Sequence, residues 1–303
     1  MRAIAFDEFG GPEVLKIVDV PIPEPGEGEV RVAVRAAAVN PADWKIRSGT
    51  LTFGDPVFPQ YPGGEVAGVV DAVGLSVTEV AVGDEVFGWA RSGGYAEYAL
   101  SGAVARKPAG LDWVDAVALP VAVSTASNVL TSLQLHAGET LLINGAAGAV
   151  GSIAVQLAVA DGVTVVGIAS AANQDVVRAL GAIPTTYGDG LADRVRALAP
   201  KGVDAVFDAA GHGVLPAAIE LRGGTDRIVT IADPAAFELG VTFTSAGGAE
   251  RPTELAAQVA ERVAKGEFRL PGAARTFPLD QAAAAQQESE TGRGPGKVVL
   301  LVR

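Results

Sequence analysis

Hydrophobic and polar positions keep two different periods along this chain. Residues 1–100 alternate. Met1–Phe6 alternates and stops at the turn Phe9-Gly10-Gly11-Pro12. Glu29–Ala37 reads Glu-Val-Arg-Val-Ala-Val-Arg-Ala-Ala, a strand with one polar and one apolar face. Val14–Val20, Val66–Val73, Glu85–Phe87 and Tyr95–Leu100 are predicted as further strands between Gly- and Pro-rich turns. Asn40-Pro41-Ala42-Asp43 predicts a helix start, with Asn40 as N-cap and Pro41 at the first helical position.

From about residue 113 to 246 the rhythm changes. Leu141–Ile143, Thr164–Ile168, Ala205–Asp208 and Arg227–Ile231 are short apolar runs of the buried parallel-strand type. Ser152–Asp161, Gln174–Leu180, Leu191–Leu198 and Leu215–Leu221 lie between them with helical spacing. This β-α-β-α order predicts a doubly wound sheet. The tail predicts a helix over Thr253–Lys265, a strand over Arg275–Leu279, a helix over Asp280–Glu290 and a strand over Lys297–Val302. The last pieces are expected to return to the first domain. The predicted fold class is therefore α/β: a discontinuous β-rich substrate domain (1–120 and 247–303) around an inserted nucleotide-binding domain (121–246).

Composition narrows the chemistry. The 303 residues include no Cys and only two His, His136 and His212. Disulfides, a thiolate zinc site, an Fe–S cluster and a Cys nucleophile are excluded, and no metal is expected. A net charge of −12 with few basic clusters argues against nucleic-acid binding. The longest apolar stretches, such as Ala116–Val123, fall short of the ~20 residues that span a membrane. The apolar part of the N-terminus is too short for a signal-peptide core. A cytoplasmic protein with no membrane partner is the expectation.

One segment carries specific chemistry. Leu141-Leu142-Ile143-Asn144-Gly145-Ala146-Ala147-Gly148-Ala149-Val150-Gly151 runs from a buried strand through a small-residue turn into a helix. That is the context a dinucleotide fingerprint requires, with pyrophosphate on the helix N-terminus. Gly148 lets backbone approach the phosphates and Gly151 lets the helix pack on the strand; Ala146 stands where the pattern has its first glycine. The next strand ends Gly167-Ile168-Ala169-Ser170-Ala171-Ala172-Asn173, with no acid before Asp175. An acid there would accept from the ribose 2′-OH of NAD. Its absence, with Ser170 as a donor, predicts NADP.

At this point the sequence resembles the zinc-independent medium-chain dehydrogenase/reductases, specifically the quinone oxidoreductase group. The likeness rests on Met1-Arg2-Ala3-Ile4, Phe9–Leu15, Ala38–Trp44, Pro62–Val70, Val82–Gly88, Gly94–Tyr98, Gly145–Gly151, Val206-Phe207-Asp208 and Gly296–Leu300, in order over essentially the whole chain. The resemblance implies a GroES-like substrate domain, a Rossmann cofactor domain, NADPH in the cleft, reduction of a quinone or an activated C=C bond (enone), and a homodimer joined through the cofactor-domain sheets. It implies that Asn40 and Asp43 lie beside the nicotinamide and that Thr125 touches its end. Ala146, Gly148, Ala149, Val150 and Gly151 would hold the pyrophosphate. Ser170 and Tyr187 would sit near the adenosine phosphate, and Ala210, Gly211 and Ile231 along the cofactor. Arg293 and Lys297 would approach it from the tail. Ala171-Ala172 depart from the pattern, since many relatives place a basic residue after the Ser.

Each candidate also has a plainer reading. Asn40 can be only an N-cap, Asp43 an acid of the first helical turn, Thr125 a polar residue within a helix and Trp44 a packing anchor. His136 reads as solvated, while His212 follows a buried strand. Tyr95 reads as packing and Glu65 as a turn residue. Two further functions share the scaffold: an enoyl-thioester or biosynthetic tailoring reductase, and a non-catalytic NADPH-binding protein.

Overall fold

The structure is a computed structural model that describes residues 1–52, 54–244, 253–292 and 296–302. Two compact units emerge. One takes Met1–Pro120, Arg251–Glu267 and Gly272–Arg303; the other takes Val121–Glu250 and Phe268–Pro271.

The first unit opens with β1 (Arg2–Ala5), β2 (Lys16–Asp19), β3 (Val30–Val39) and helix α1 (Pro41–Arg47). Next come β4 (Glu65–Val73), β5 (Glu85–Trp89), β6 (Tyr98–Ser101), β7 (Ala103–Arg106) and α2 (Trp113–Val117). The second unit is α3 (Pro120–Leu133), β8 (Thr140–Asn144), α4 (Ala149–Ala160), β9 (Thr164–Ile168), α5 (Gln174–Ala179) and β10 (Ile183–Thr185). It continues with α6 (Leu191–Leu198), β11 (Ala205–Asp208), α7 (Leu215–Arg222), β12 (Ile228–Thr230), α8 (Ala236–Leu239) and β13 (Thr242–Phe243). The chain returns to the first unit as α9 (Thr253–Ala264), β14 (Arg275–Pro278), α10 (Ala282–Glu290) and β15 (Val298–Leu301).

The first unit is a GroES-like domain built on β3. Its residues alternate in burial from Val30 to the exposed Arg35 and are then buried from Ala36 through Val39. A stretch covered on both faces has no solvent side left to carry polar residues, which is why the alternation fades into Ala36-Ala37-Ala38-Val39. β3 pairs antiparallel with β15, β4 and β6. The sheet order is β14-β15-β3-β4-β5-β7, and β1 with β2 form a separate ribbon. Register matters here. Val298 stands opposite Val39 and Val66 opposite Ala37. Lys297, Asn40 and Glu65 therefore collect at one end of three adjacent strands. Gly68 is required in β4, because a Cβ there would lie 2.1 Å from the Ala33 carbonyl oxygen.

The second unit is a Rossmann domain. Its six strands run β10-β9-β8-β11-β12-β13, all parallel. Numbered within the unit, that is the 3-2-1-4-5-6 order, whose switch point lies between β8 and β11. Leu142, Val166, Ile168, Val206, Leu215 and Ile228 are in its core cluster.

Several expectations are corrected. Val14–Val20 divides into a 3-10 turn at Pro12–Val14 and the strand Lys16–Asp19. The strand expected from Tyr95 starts at Tyr98, and β7 and β10 were not anticipated. β10 is a three-residue edge strand with Pro184 at its centre, a place where the missing N–H is tolerated. No run long enough for a membrane was expected. Trp113–Leu133 is nonetheless a 21-residue helical stretch of mean hydropathy 1.5, sufficient by length and composition. Of its apolar window, 67% is buried inside the protein, the pattern of core helices.

Candidate active site

Helix α4 starts at the predicted glycine loop, with Gly148 as its N-cap in extended conformation. Gly148 is exposed, Ala149 and Val150 are half-buried, and Ala146 is buried. The N–H groups of the first helical turn have no partner within the helix and face the end of the loop. A Cβ on Gly151 would sit 2.2 Å from the Gly145 carbonyl oxygen, so only glycine allows α4 to pack this close to the turn. The side chain of Ala146 is buried. The helix start and glycine cradle fit a dinucleotide pyrophosphate.

Beside the loop, at the switch point, lies a buried polar relay. Asn144, the last residue of β8, donates its side-chain N–H to Asp208 Oδ1 at 2.7 Å and to the Gly211 carbonyl at 2.9 Å. Asp208, the last residue of β11, also accepts at Oδ1 from the backbone N–H of Ala210 (3.1 Å) and Gly211 (2.7 Å). Its Oδ2 accepts from the Thr230 hydroxyl at 2.7 Å. The Thr230 oxygen accepts in turn from the N–H of Ala232 and Asp233. These bonds satisfy a fully buried carboxylate without a cation and fix the turns after β11 and β12. Ala210, Gly211 and Ile231 lie in or beside those turns. Asn144 Oδ1 is buried and has no hydrogen-bond partner among the described residues.

At the end of β9, Ser170 is exposed and precedes a 3-10 turn that its side chain does not cap. Tyr187 stacks edge-on against His212, ring centroids 6.2 Å apart. Burial pushes the Tyr187 phenol up, the Asp208 charge adds to this, and the Gly145 N–H opposes it. The phenol thus stands beside the glycine turn. Arg194 donates to the carbonyls of Thr186 (2.9 Å), Tyr187 (3.2 Å), Gly188 and Asp189 and so holds the Tyr187 loop. Arg178 pairs with Asp175 on the surface. Thr125, within α3, is buried, and its hydroxyl has no hydrogen-bond partner among the described residues. Arg293 lies outside the described residues.

The first unit holds a second cluster. Asn40 is the residue before α1, and its backbone N–H donates to Asp43 Oδ2 at 2.8 Å, closing the first turn. Its side chain has other partners. The amide N–H donates to Glu65 Oε2 at 2.7 Å, and Lys297 Nζ donates to Asn40 Oδ1 at 2.7 Å and to Glu65 Oε2 at 3.1 Å. The Tyr95 hydroxyl donates to Asp43 Oδ2 at 2.8 Å. Behind it, Arg47 donates to Gln286 Oε1 at 2.7 Å. Burial raises the Asp43 carboxyl to about 6, against the N–H of Asn40 and the Tyr95 hydroxyl, which lower it. Glu65 adds to the rise and Lys297 reduces it. Burial and the Asp43 charge push the Tyr95 phenol well up.

The structure thus brings Asn40, Asp43 and Lys297 together in one unit. It brings the glycine loop, Ser170, Tyr187, Ala210, Gly211, Ile231 and Thr125 into the other. Lys297 holds Glu65 and Asn40. In the sequence Glu65 reads as a turn residue and Tyr95 as packing, and Gln286, Asn144, Asp208 and Thr230 carry no assigned site role. For Asn144 and Asp208 a signal existed: each is a polar residue that ends a run of at least three apolar residues, on the side where open α/β sheets bind ligands. Among the described residues no group of three or more His, Cys, Asp or Glu is arranged to hold a metal ion.

Comparison with known proteins bears on both units. Residues 26–109 match the family model for the alcohol dehydrogenase GroES-like domain, and residues 180–300 match that for zinc-binding dehydrogenases. Quinone oxidoreductase of Sus scrofa is 34% identical, over 100% of this chain and 98% of its own. The NADPH-dependent alkenal/one oxidoreductase of Arabidopsis thaliana is 32% identical, over 99% of this chain and 79% of its own. The solved quinone oxidoreductase of Coxiella burnetii superposes with a TM-score of 0.86 at 31% identity, covering 100% of this chain and 99% of that one.

Proposed function

The chain belongs to the quinone oxidoreductase family of medium-chain dehydrogenase/reductases, and from that premise we propose that it is an NADPH-dependent, zinc-independent reductase of quinones or enones. The observation that carries the reading is the strand–glycine loop–helix at the switch point, followed by a second strand that ends in Ser170 and no acid. Such an end admits a 2′-phosphate, which an Asp or Glu would repel.

NADPH supplies hydride chemistry when bound. The chain's own residues bind and orient. The first turn of α4 takes the pyrophosphate, Ser170 and Tyr187 take the 2′-phosphate end, and Ala210, Gly211 and Ile231 run along the dinucleotide on turns fixed by Asp208. Thr125 contributes a buried hydroxyl with no partner among the described residues, suited to a polar atom of the nicotinamide end. Asn40 and Asp43 serve the acceptor, with Asn40 donating to its carbonyl oxygen. With no Cys in the chain, polarisation rests on such donors, and these suffice for an acceptor that is already activated. The proton comes from water. The chain is further proposed to form a homodimer along β13.

Consumption of reduced cofactor by the purified protein tests this, with NADPH and NADH each offered a small quinone, an enone and an enoyl thioester. Turnover of quinone or enone with preference for NADPH is expected. NADPH bound tightly without turnover of any acceptor would overturn the enzymatic reading, and equal use of NADH would overturn the 2′-phosphate argument.

A further inference from the structure

An asparagine amide keeps its shape when flipped, so its partners alone decide whether it offers oxygen or N–H. At Asn40 both partners decide the same way. Lys297 has only donors and holds Oδ1; Glu65 accepts and takes one N–H of Nδ2. A flip would set the amide oxygen against a carboxylate and the amide N–H against an ammonium. Lys297 and Glu65 also bond each other, so the pair is self-neutralising while buried. Nδ2 has two hydrogens, and one goes to Glu65. The ammonium on Oδ1 draws electron density toward the oxygen and strengthens the remaining N–H as a donor.

We propose that Lys297 and Glu65 are positioning residues that lock the Asn40 amide so that its second N–H is the donor to the acceptor's carbonyl oxygen. This rests on the reductase reading. It gives Lys297 a role on the acceptor side in place of contact with cofactor. It also explains why the three residues come from the ends of β3, β4 and β15, whose pairing holds them to one spacing.

The decisive variant exchanges the two polar groups: Asn40→Asp with Glu65→Gln. In that double variant the carboxylate at 40 still accepts from Lys297 and from the amide at 65, and the net charge is kept; the bond from Lys297 to position 65 is lost, because an amide N–H now stands where Glu65 Oε2 accepted it. What disappears is the N–H at 40. NADPH affinity, read by fluorescence titration, should stay at the wild-type value, while the unfolding midpoint falls because the Lys297 bond to position 65 is gone. The value of kcat should fall by roughly 100-fold for an enone and by less for a strongly oxidising quinone, which needs less polarisation. A purely structural role would depress both acceptors equally. Should the exchange not fold, Glu65→Gln alone relaxes the constraint and leaves only the Lys297 bond to Oδ1, and a smaller loss, again greater for the enone than for the quinone and with unchanged NADPH affinity, is expected. Wild-type kcat on both acceptors in the variant that folds would overturn the proposal, as would a loss confined to NADPH affinity. Absence of turnover in the wild type would instead count against the reductase reading itself.

Discussion

Asn144 donates its side-chain N–H to Asp208 Oδ1 across 2.7 Å, joining the C-terminal ends of the two central strands β8 and β11. The bond is the first link of the relay that reaches Thr230 and fixes the Ala210–Gly211 turn. Thr230→Val leaves one buried lone pair of Asp208 unmet and takes the acceptor from the N–H groups of Ala232 and Asp233, and should cost about 2–3 kcal/mol in urea denaturation. Asp208→Ala removes the acceptor for two side chains and two backbone N–H groups. It should cost about 3 kcal/mol or more and weaken NADPH binding roughly tenfold, measured by fluorescence titration. Unchanged NADPH affinity in Asp208→Ala would show that the turn does not depend on the relay.

Two glycines of the loop should respond unequally. An added methyl at 151 meets the Gly145 oxygen at 2.2 Å and two further backbone atoms within about 3 Å. At 148 it meets only that oxygen, at 3.2 Å. Gly151→Ala should therefore destabilise by about 2–3 kcal/mol and weaken NADPH binding. Gly148→Ala should fold almost normally and act mainly on NADPH affinity. Calorimetric midpoints and titrations of the two variants check the order.

Asp43 makes stability fall as pH rises. Its carboxyl is held at about 6 in the fold against 3.8 in the reference state. Between those values the folded form keeps the proton that the unfolded form has lost, so the folded state loses ground with each rise in pH. The stabilisation of the protonated form is complete below 3.8 and gone above about 6. The span corresponds to about 3 kcal/mol as an upper order of magnitude. Urea titrations of wild type and Asp43→Asn over this range should show the wild type losing ground relative to the variant as pH rises, then a constant difference. A constant difference throughout would contradict the raised carboxyl.

The far edge of the second unit's sheet carries an aromatic patch. Phe237 is 75% exposed and stacks on Phe243, centroids 5.2 Å apart, on the edge strand β13. Edge pairing about a two-fold axis would cover both rings and the strand. Sedimentation should give a dimer for the wild type and a monomer for Phe237→Asp. A monomeric wild type would remove the dimer from the account.

Much of this was legible in the sequence where the signal is local. The glycine loop lies within one strand–turn–helix, and Asn40-Pro41 announces α1 by capping chemistry alone. The β8, β9 and β11 runs are apolar because both faces of a central parallel strand are covered. What was not legible depends on register. Lys297 meets Asn40 only because Val298 stands opposite Val39, 259 positions away by subtraction of their numbers, and no local pattern encodes that pairing. Glu65 resembles a turn residue until β4 sets it against Asn40. Trp113–Leu133 hid its helices because Asp115, Ser124 and Asn128 interrupt the apolar run and Pro120 starts a new helix within it.

Transfer of label from nicotinamide to product tests the central claim most directly. NADPH deuterated at C4, on the two faces in separate reactions, is turned over with an enone, and the product is read by mass spectrometry and NMR. The account predicts one deuterium at the β-carbon from one of the two labelled forms and none from the other. Consumption of NADPH with no deuterium in the product from either form would contradict direct hydride delivery by this protein.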